Sequence, residues 1–84
     1  MLYHKKVFCS RFREIRKKSG DTQSDVAALL GVSDSQISEI ENGNKTTSVE
    51  RLSIICEHYH VSADYLLGLT DDPTPHLRKS STLP

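Results

Sequence analysis

The 84-residue chain has no tryptophan, only two cysteines and only three prolines, and every proline lies after Asp72. It also lacks the run of about 20 apolar residues that spans a bilayer. Its N-terminal sequence, MLYHKKVFCSRF, is interrupted by charge where a secretory signal would be apolar. We therefore expect a cytoplasmic protein in which Cys9 and Cys56 are reduced. A chain this short can bury one modest core, and we expect neither a second domain nor an enzyme.

The net charge is zero, but the charge is unevenly distributed along the chain. Residues 1–20 carry seven lysines and arginines against Glu14 alone, whereas residues 21–72 carry ten acids against Lys45 and Arg51. An acidic segment repels the phosphates of nucleic acid. Affinity for nucleic acid would therefore depend on the first helix, on Lys45 and on neutral hydrogen-bond donors.

The stretch from Thr22 to Gly43, TQSDVAALLGVSDSQISEIENG, predicts two short helices joined by a tight turn. Thr22 is placed to cap the first of them with Asp25 at its third position, and Gly31 is placed to end it. Ala27 is small enough to let the two helices cross closely. The apolar residues on one face of this helix are Val26, Leu29 and Leu30.

The second of these helices follows at once. Ser33 and Gln36 have the spacing of a capping box, and Val32 and Ile37 occupy the positions of a hydrophobic staple around it. With Ile37 and Ile40 turned inward, the outward residues are Asp34, Ser35, Ser38, Glu39 and Asn42. This pattern predicts a helix-turn-helix, whose second helix suits the major groove of DNA.

Three further helices are predicted around this pair. The first runs from Lys6 to Ser19 and ends at Gly20. The fourth begins at a capping box formed by Thr47 and Glu50 and ends near His58 or Tyr59. Its apolar stripe, which we expect to complete the core, consists of Val49, Leu52, Ile55, Cys56 and Tyr59.

A short fifth helix is capped by Ser62. It carries more apolar side chains than so short an element can bury, which predicts a homodimer seam. The residues of that seam are Tyr65, Leu66, Leu67 and Leu69. We place the domain at residues 1–70 and a tail without a fold of its own at 71–84, because the tail contains every proline and little apolar content.

Catalytic and metal chemistry find no support in the sequence. Cys56, His58 and His60 are close together, but they lack the spacing of a tetrahedral metal site. No Gly-x-Ser-x-Gly elbow accompanies the serines and histidines. We expect no catalytic residue, no metal and no cofactor.

Together, the segments TQSDVAALLGVSDSQISEIENG and SVERLSIICEHYHVSADYLLG resemble the phage-repressor-like helix-turn-helix family of the Cro/cI or Xre type. The resemblance covers nearly everything from Phe8 to Leu69. It implies an all-α fold, a compact five-helix lambda-repressor-like domain. It also implies a transcriptional regulator, most often a repressor, that acts as a homodimer on a double-stranded DNA operator with two half-sites.

The resemblance also assigns roles to individual residues. The positions that face bases in the family match Asp34, Ser35, Ser38 and Glu39. Those that hold the DNA backbone match Gln23, Asn42, Asn44 and Lys45. An arginine of helix 1 and a glutamate late in helix 3, which act as a structural clamp, match Arg16 and Glu41.

The sequence departs from the family pattern in two places. Asp21 stands where an apolar residue usually precedes the helix 2 cap, so a staple with Val26 is lost and we expect a looser link from helix 1. Asp34 and Glu39 stand where Arg, Lys or Gln is common, and an acid there repels phosphate although it can accept a hydrogen bond from cytosine. A protein-interaction module of the same fold therefore stays open as an alternative. Gln23, Asn42 and Lys45 favour DNA.

Overall fold

Five α-helices and no strands make up residues 5–75, the part of the chain that the computed structural model describes. The helices are α1 (Lys5–Lys18), α2 (Gln23–Leu30), α3 (Asp34–Glu41), α4 (Val49–Tyr59) and α5 (Ala63–Leu66). The predicted all-α class and the order of the helices are confirmed. Residues 1–4 of the predicted domain and 76–84 of the predicted tail lie outside the described residues.

The predicted caps of α2 and α3 are both present. Thr22 Oγ1 accepts from the backbone of Asp25 at 3.1 Å, and Asp25 Oδ2 accepts from the backbone of Thr22 at 2.8 Å. Ser33 and Gln36 form the same reciprocal pair at the start of α3. Gly31 lies between the helices at φ 69°, in the left-handed region, and its N–H donates to Ala27. Two capped helices therefore meet at a fixed three-residue turn.

The core lies where α1, α2 and α3 meet α4 and α5. Phe8 and Phe12 of α1 are fully buried, with ring centroids 5.9 Å apart. Ala27 is buried, and the inward pair of α3, Ile37 and Ile40, is buried as predicted. The other buried apolar side chains are Cys9, Val26, Leu30, Ile55, Val61 and Leu66. Cys9 and Cys56 are free thiols.

The predictions for α4 and for Leu29 need correction. Ser48, and not Thr47, caps α4, because Ser48 Oγ accepts from the backbone of Arg51 at 3.1 Å. Thr47 and Glu50 therefore form no capping box. Val49, predicted to complete the core, is 83% exposed, because a helix that begins at this residue turns it to solvent.

Leu29 was also expected on the buried face of α2, but it is 37% exposed. The buried stripe of this short helix consists of Val26, Ala27 and Leu30. The stripe follows the side of the helix that Val26 and Leu30 share, and the Leu29 side chain lies at the edge of that side.

The expectation that Asp21 loosens the link from α1 is wrong, because Asp21 is hydrogen-bonded to its surroundings. Its Oδ2 accepts from the Tyr59 hydroxyl at 2.7 Å and lies 3.4 Å from His58 Nε2, while its carbonyl accepts from Arg16 at 2.9 Å. The hydrogen bond from Tyr59 holds the pKa of Asp21 below its usual value. Burial raises the pKa of Tyr59, and Asp21 raises it further, so the phenol stays a donor. A polar link to α4 therefore replaces the missing staple.

The segment after α5 is tied back to α1 by Arg11. Its guanidinium lies 4.1 Å from the centroid of the Tyr65 ring and donates to the carbonyl of Thr70 and to Asp71 Oδ1, each at 2.7 Å. The backbone of Ser62 donates to the carbonyl of Pro73 at 3.0 Å. The first residues of the predicted tail are thus hydrogen-bonded to the helices.

The turn geometry gives a paired prediction about stability. Gly31→Val is expected to lower the free energy of unfolding by about 1 to 3 kcal/mol, because a branched side chain is strained in the left-handed region. The strain would be conformational, since no atom lies within 4 Å of a Cβ built at Gly31.

His60, the C-cap of α4, already holds the left-handed conformation at φ 54° and is the matched control. His60→Gly should not lower stability, because the strain it relieves offsets the greater backbone freedom of glycine in the unfolded chain. Chemical denaturation of both variants measures the difference. A Gly31→Val protein as stable as the parent would contradict the turn geometry.

Candidate nucleic-acid interface

The outward face of α3 is polar and accessible. Ser35 and Asn42 are exposed, and Ser38 is half-buried between them. The Asn42 side-chain amide lies 3.5 Å from Ser38 Oγ, at the long end of a hydrogen bond. The face therefore offers small donors and acceptors that an incoming polar surface can engage.

The two acids predicted to face bases already have partners. Asp34 accepts a hydrogen bond from Ser24 Oγ, which places its carboxylate against the first turn of α2. Glu39 Oε1 lies 3.5 Å from Lys45 Nζ. Both members of the second pair are substantially exposed, so the pair is weak and can open. The structure thus brings a predicted base-facing residue and a predicted backbone-binding residue into contact.

The loop after α3 is held by its own backbone. The N–H groups of Asn44 and Lys45 donate to the Glu39 carbonyl at 2.9 and 3.3 Å, and that of Gly43 donates to Ile40 at 3.1 Å. These groups are therefore not available to a ligand. The Asn44 and Lys45 side chains are exposed, so these two residues can bind a phosphate through their side chains.

Arg16 and Glu41 form a buried ion pair between α1 and α3. Arg16 Nε and Nη2 donate to the two carboxylate oxygens at 2.5 and 3.0 Å, and the side chains are 9% and 3% exposed. The hydrogen bond with Glu41 raises the pKa of the Arg16 guanidinium. Gln23, predicted to hold the DNA backbone, donates to Glu41 Oε1 at 3.1 Å. One carboxylate therefore joins α3 to α1 and to the start of α2.

Sequence reasoning missed several contacts, among them the Gln23–Glu41 bond and the contacts of Arg11 with Tyr65, Thr70 and Asp71. Gln23 and Glu41 are each assigned by the family pattern, but no periodicity within one helix brings them together. Arg11 lies 54 to 60 residues from its partners in the chain. The one local signal for Arg11 is that it sits on α1 beside the buried Phe12, where an arginine would need a partner.

The predicted dimer residues are not all on the surface. Leu66 is fully buried in the core of its own chain, so it offers no surface to a second copy. Tyr65 is half-buried beneath the Arg11 guanidinium. Leu67 is half-buried and Leu69 is 38% exposed. Fewer apolar groups of α5 are therefore exposed than its composition implied, because Leu66 is buried and Tyr65 and Leu67 are half-buried in the same chain.

Within residues 5–75, no three histidine, cysteine or acidic side chains come together as a metal site. In the same part of the chain, no helix is both long enough and apolar enough to cross a membrane.

A family model described as helix-turn-helix matches residues 12–66, which include all of α2, α3 and α4. The chain belongs to this family, of the Cro/cI or Xre type. The uncharacterized HTH-type transcriptional regulator YobD of Bacillus subtilis (strain 168) is 35% identical over 75 residues, which are 89% of this chain and 67% of YobD. The HTH-type transcriptional regulator ImmR of the same strain is 34% identical over 69% of this chain and 46% of ImmR. The chain thus spans less than half of ImmR.

Solved structures confirm the lambda-repressor-like fold. The P22 c2 repressor in complex with a synthetic operator superposes with a TM-score of 0.66 and 32% identity, over 71% of this chain and 91% of the repressor chain. SinR, a master regulator for biofilm formation solved in complex with DNA, gives 0.63 and 31%, over 71% of this chain and 97% of SinR. Members of this family are transcriptional regulators and not enzymes.

The Arg16–Glu41 pair predicts an asymmetric response to mutation. Arg16→Met should lower the free energy of unfolding by about 3 to 5 kcal/mol, because it leaves the Glu41 carboxylate buried without its cation. Arg16→Met combined with Glu41→Leu should cost less than Arg16→Met alone, since both charges are removed together. Thermal or urea denaturation of the three proteins tests this. A double variant that is less stable than the single one would contradict the prediction.

Proposed function

We propose that this protein is a transcriptional repressor that binds double-stranded DNA with α3 in the major groove. The observation that carries the proposal is the doubly capped pair α2 and α3, which exposes the polar face of α3 beside the start of α2 and the 42–45 loop. A helix presented in this way fits the width of the major groove. Two relatives above 30% identity, the P22 c2 repressor and SinR, were solved with DNA, and this supports the proposal.

Two groups of residues have different roles in this proposal. Positioning on the sugar–phosphate backbone falls to neutral amides and one lysine, namely Gln23, Asn42, Asn44 and Lys45. Gln23 uses one amide hydrogen for Glu41, and the second can go to a phosphate. Contact with base edges falls to Asp34, Ser35, Ser38 and Glu39. The first group supplies affinity for any sequence, and the second supplies preference.

In this mechanism, Glu39 and a DNA phosphate compete for Lys45. While Lys45 lies beside Glu39, part of its charge is neutralised within the protein. A phosphate would draw Lys45 away and leave Glu39 free to accept a hydrogen bond from the N4 amino group of cytosine. At a site with cytosine in that position, Lys45 would therefore exchange Glu39 for a phosphate, and Glu39 would exchange Lys45 for the cytosine amino group.

The acidity of the α3 face favours one alternative, a protein-interaction module of the same fold in which DNA affinity is weak or lost. The face carries Asp34 and Glu39 with no base on the helix itself. The two functions differ in a measurable way. Binding to DNA falls steeply with salt, and a module without DNA affinity shows no binding even at low salt.

Replacing Glu39 and Lys45 separates these roles. Lys45→Ala should weaken binding to every duplex and reduce the slope of log affinity against log salt by about one unit. Glu39→Gln should release Lys45 and alter the preferred base at one position of each half-site, with a discrimination of about 1 to 3 kcal/mol.

Selection from randomised DNA with the parent and Glu39→Gln proteins is the measurement. Motifs that differ at one symmetric pair of positions are expected. Identical motifs would show that Glu39 does not contact bases. The absence of any enriched motif from either protein would support the interaction module instead.

We also propose that the protein acts as a homodimer whose seam involves Leu69 of the predicted set and the exposed Val49. These two side chains are among the three most exposed large apolar residues in the described chain. Val49 borders a groove of about 390 Å³ that is also lined by Leu52 and Leu67. A twofold pair would place two copies of α3 about one turn of DNA apart, or roughly 34 Å.

Val49→Glu and Leu69→Glu should therefore shift the protein toward monomer, because each places a charge in the seam. Leu29→Glu is the matched control, since Leu29 is 37% exposed against 38% for Leu69 and lies on α2. Sedimentation at high protein concentration measures the change. A parent that is monomeric with and without DNA would rule out the dimer, and a Leu29→Glu protein as dissociated as the other two would rule out this seam.

A further inference from the structure

The outer side of α1 borders a cleft of about 400 Å³ that ends at the C-terminal end of α3. Three bases of α1 line it, Lys6, Arg13 and Lys17, and they face Asn42 and Gly43 across the opening. Two acids also line it, Glu14 of α1 and Glu41 of α3, and the Glu41 carboxylate is buried in its pair with Arg16. We refer to this site as the α1 cleft.

The bases of the α1 cleft are not used by the fold. Arg11 and Arg16, on other sides of the same helix, have carboxylate partners in Asp71 and Glu41. By contrast, Lys6, Arg13 and Lys17 form no ion pair within residues 5–75. Lys6 even stands in the first turn of α1, where the helix dipole disfavours a cation. The positive charge here has no partner in the described fold that would explain it.

The surroundings make this charge the main attraction for an anion. From α2 onward the described chain carries nine acids against Lys45 and Arg51, and Lys45 already lies beside Glu39. A polyanion approaching the α3 face therefore meets repulsion there, whereas α1 carries most of the lysines and arginines of the described residues. Lys6 and Lys17 are separated by about 16 Å of helix, which is long enough to pass more than one phosphate of a strand.

We infer that the α1 cleft binds the sugar–phosphate backbone of the same DNA that α3 enters, next to the phosphate proposed for Asn42. This inference rests on the proposed function and adds to it the source of most of the affinity. Asn42 belongs to both surfaces, because it follows the last turn of α3 and lines the α1 cleft. A strand leaving the groove at Asn42 would pass directly onto Arg13 and Lys17.

Two neighbouring lysines give the matched test. Lys17 lines the α1 cleft, whereas Lys18 lines a groove on another side of α1, beside Tyr59 and Pro73. Lys17→Gln and Lys18→Gln remove the same charge from the same helical turn. Affinity is measured across a salt series with two probes, the duplex enriched by the parent protein and a mixed-sequence duplex.

Lys17→Gln should reduce the salt slope by about one unit on both duplexes, while Lys18→Gln should change it by clearly less. Glu14→Gln should act in the opposite direction and tighten binding, which damage to the fold could not do. Equal slopes for Lys17→Gln and Lys18→Gln would overturn the inference, because they would indicate a diffuse field and no contact.

The outcomes also separate this inference from the proposed function. If the parent binds DNA and Lys45→Ala lowers the slope, but neither Lys17→Gln nor Glu14→Gln has an effect, the α1 cleft is not a contact and the DNA-binding proposal stands. If the parent binds neither duplex at low salt, both are wrong. Thermal denaturation of Lys17→Gln and Lys18→Gln checks that the two variants are equally folded.

Discussion

The Glu41 carboxylate is the interaction on which the arrangement of the first three helices depends. It is 3% exposed, it belongs to α3, and it accepts hydrogen bonds from Arg16 of α1 and Gln23 of α2. A buried charge is costly unless its partners are all in place. In the observed arrangement of the three helices, Arg16 and Gln23 both reach it. The orientation of α3, and with it the outward face, is therefore set by a polar contact as much as by the apolar core.

Because of this network, the presence of Gln23 is a weaker indication of DNA binding. In the sequence analysis Gln23 favours DNA, but its hydrogen bond to Glu41 gives it a structural role as well. Lys45 likewise has a partner in Glu39. The DNA-binding proposal therefore depends less on single residues than on the presentation of α3 and on its relatives. Asn42 still favours DNA, since within residues 5–75 its side chain has only the long contact with Ser38.

The parts of the fold that local signals encode were predictable from the sequence. The caps at Thr22 and Ser33 need only residues three apart, and each forms as expected. The predicted cap of α4 was wrong because three consecutive residues, Thr46, Thr47 and Ser48, are all suitable caps, and in the structure the last of them is the cap. The prediction for Asp21 was wrong for a different reason. Its partner Tyr59 is 38 residues away, and no pattern within a helix indicates such a contact.

The candidate site was predictable as a set of positions but not as a set of contacts. Periodicity placed Glu39 and Asp34 on the outward side of α3, and the structure shows that each has a partner, in Lys45 and Ser24. Lys45 neutralises part of the field of Glu39, so this acid repels an approaching phosphate less than a free one, whereas Ser24 is neutral and leaves Asp34 its charge. Acidity of α3 is therefore compatible with entry into the groove, provided that the attraction comes from another surface. Helix α1 has that charge, so specificity and affinity would reside on different helices joined by Glu41.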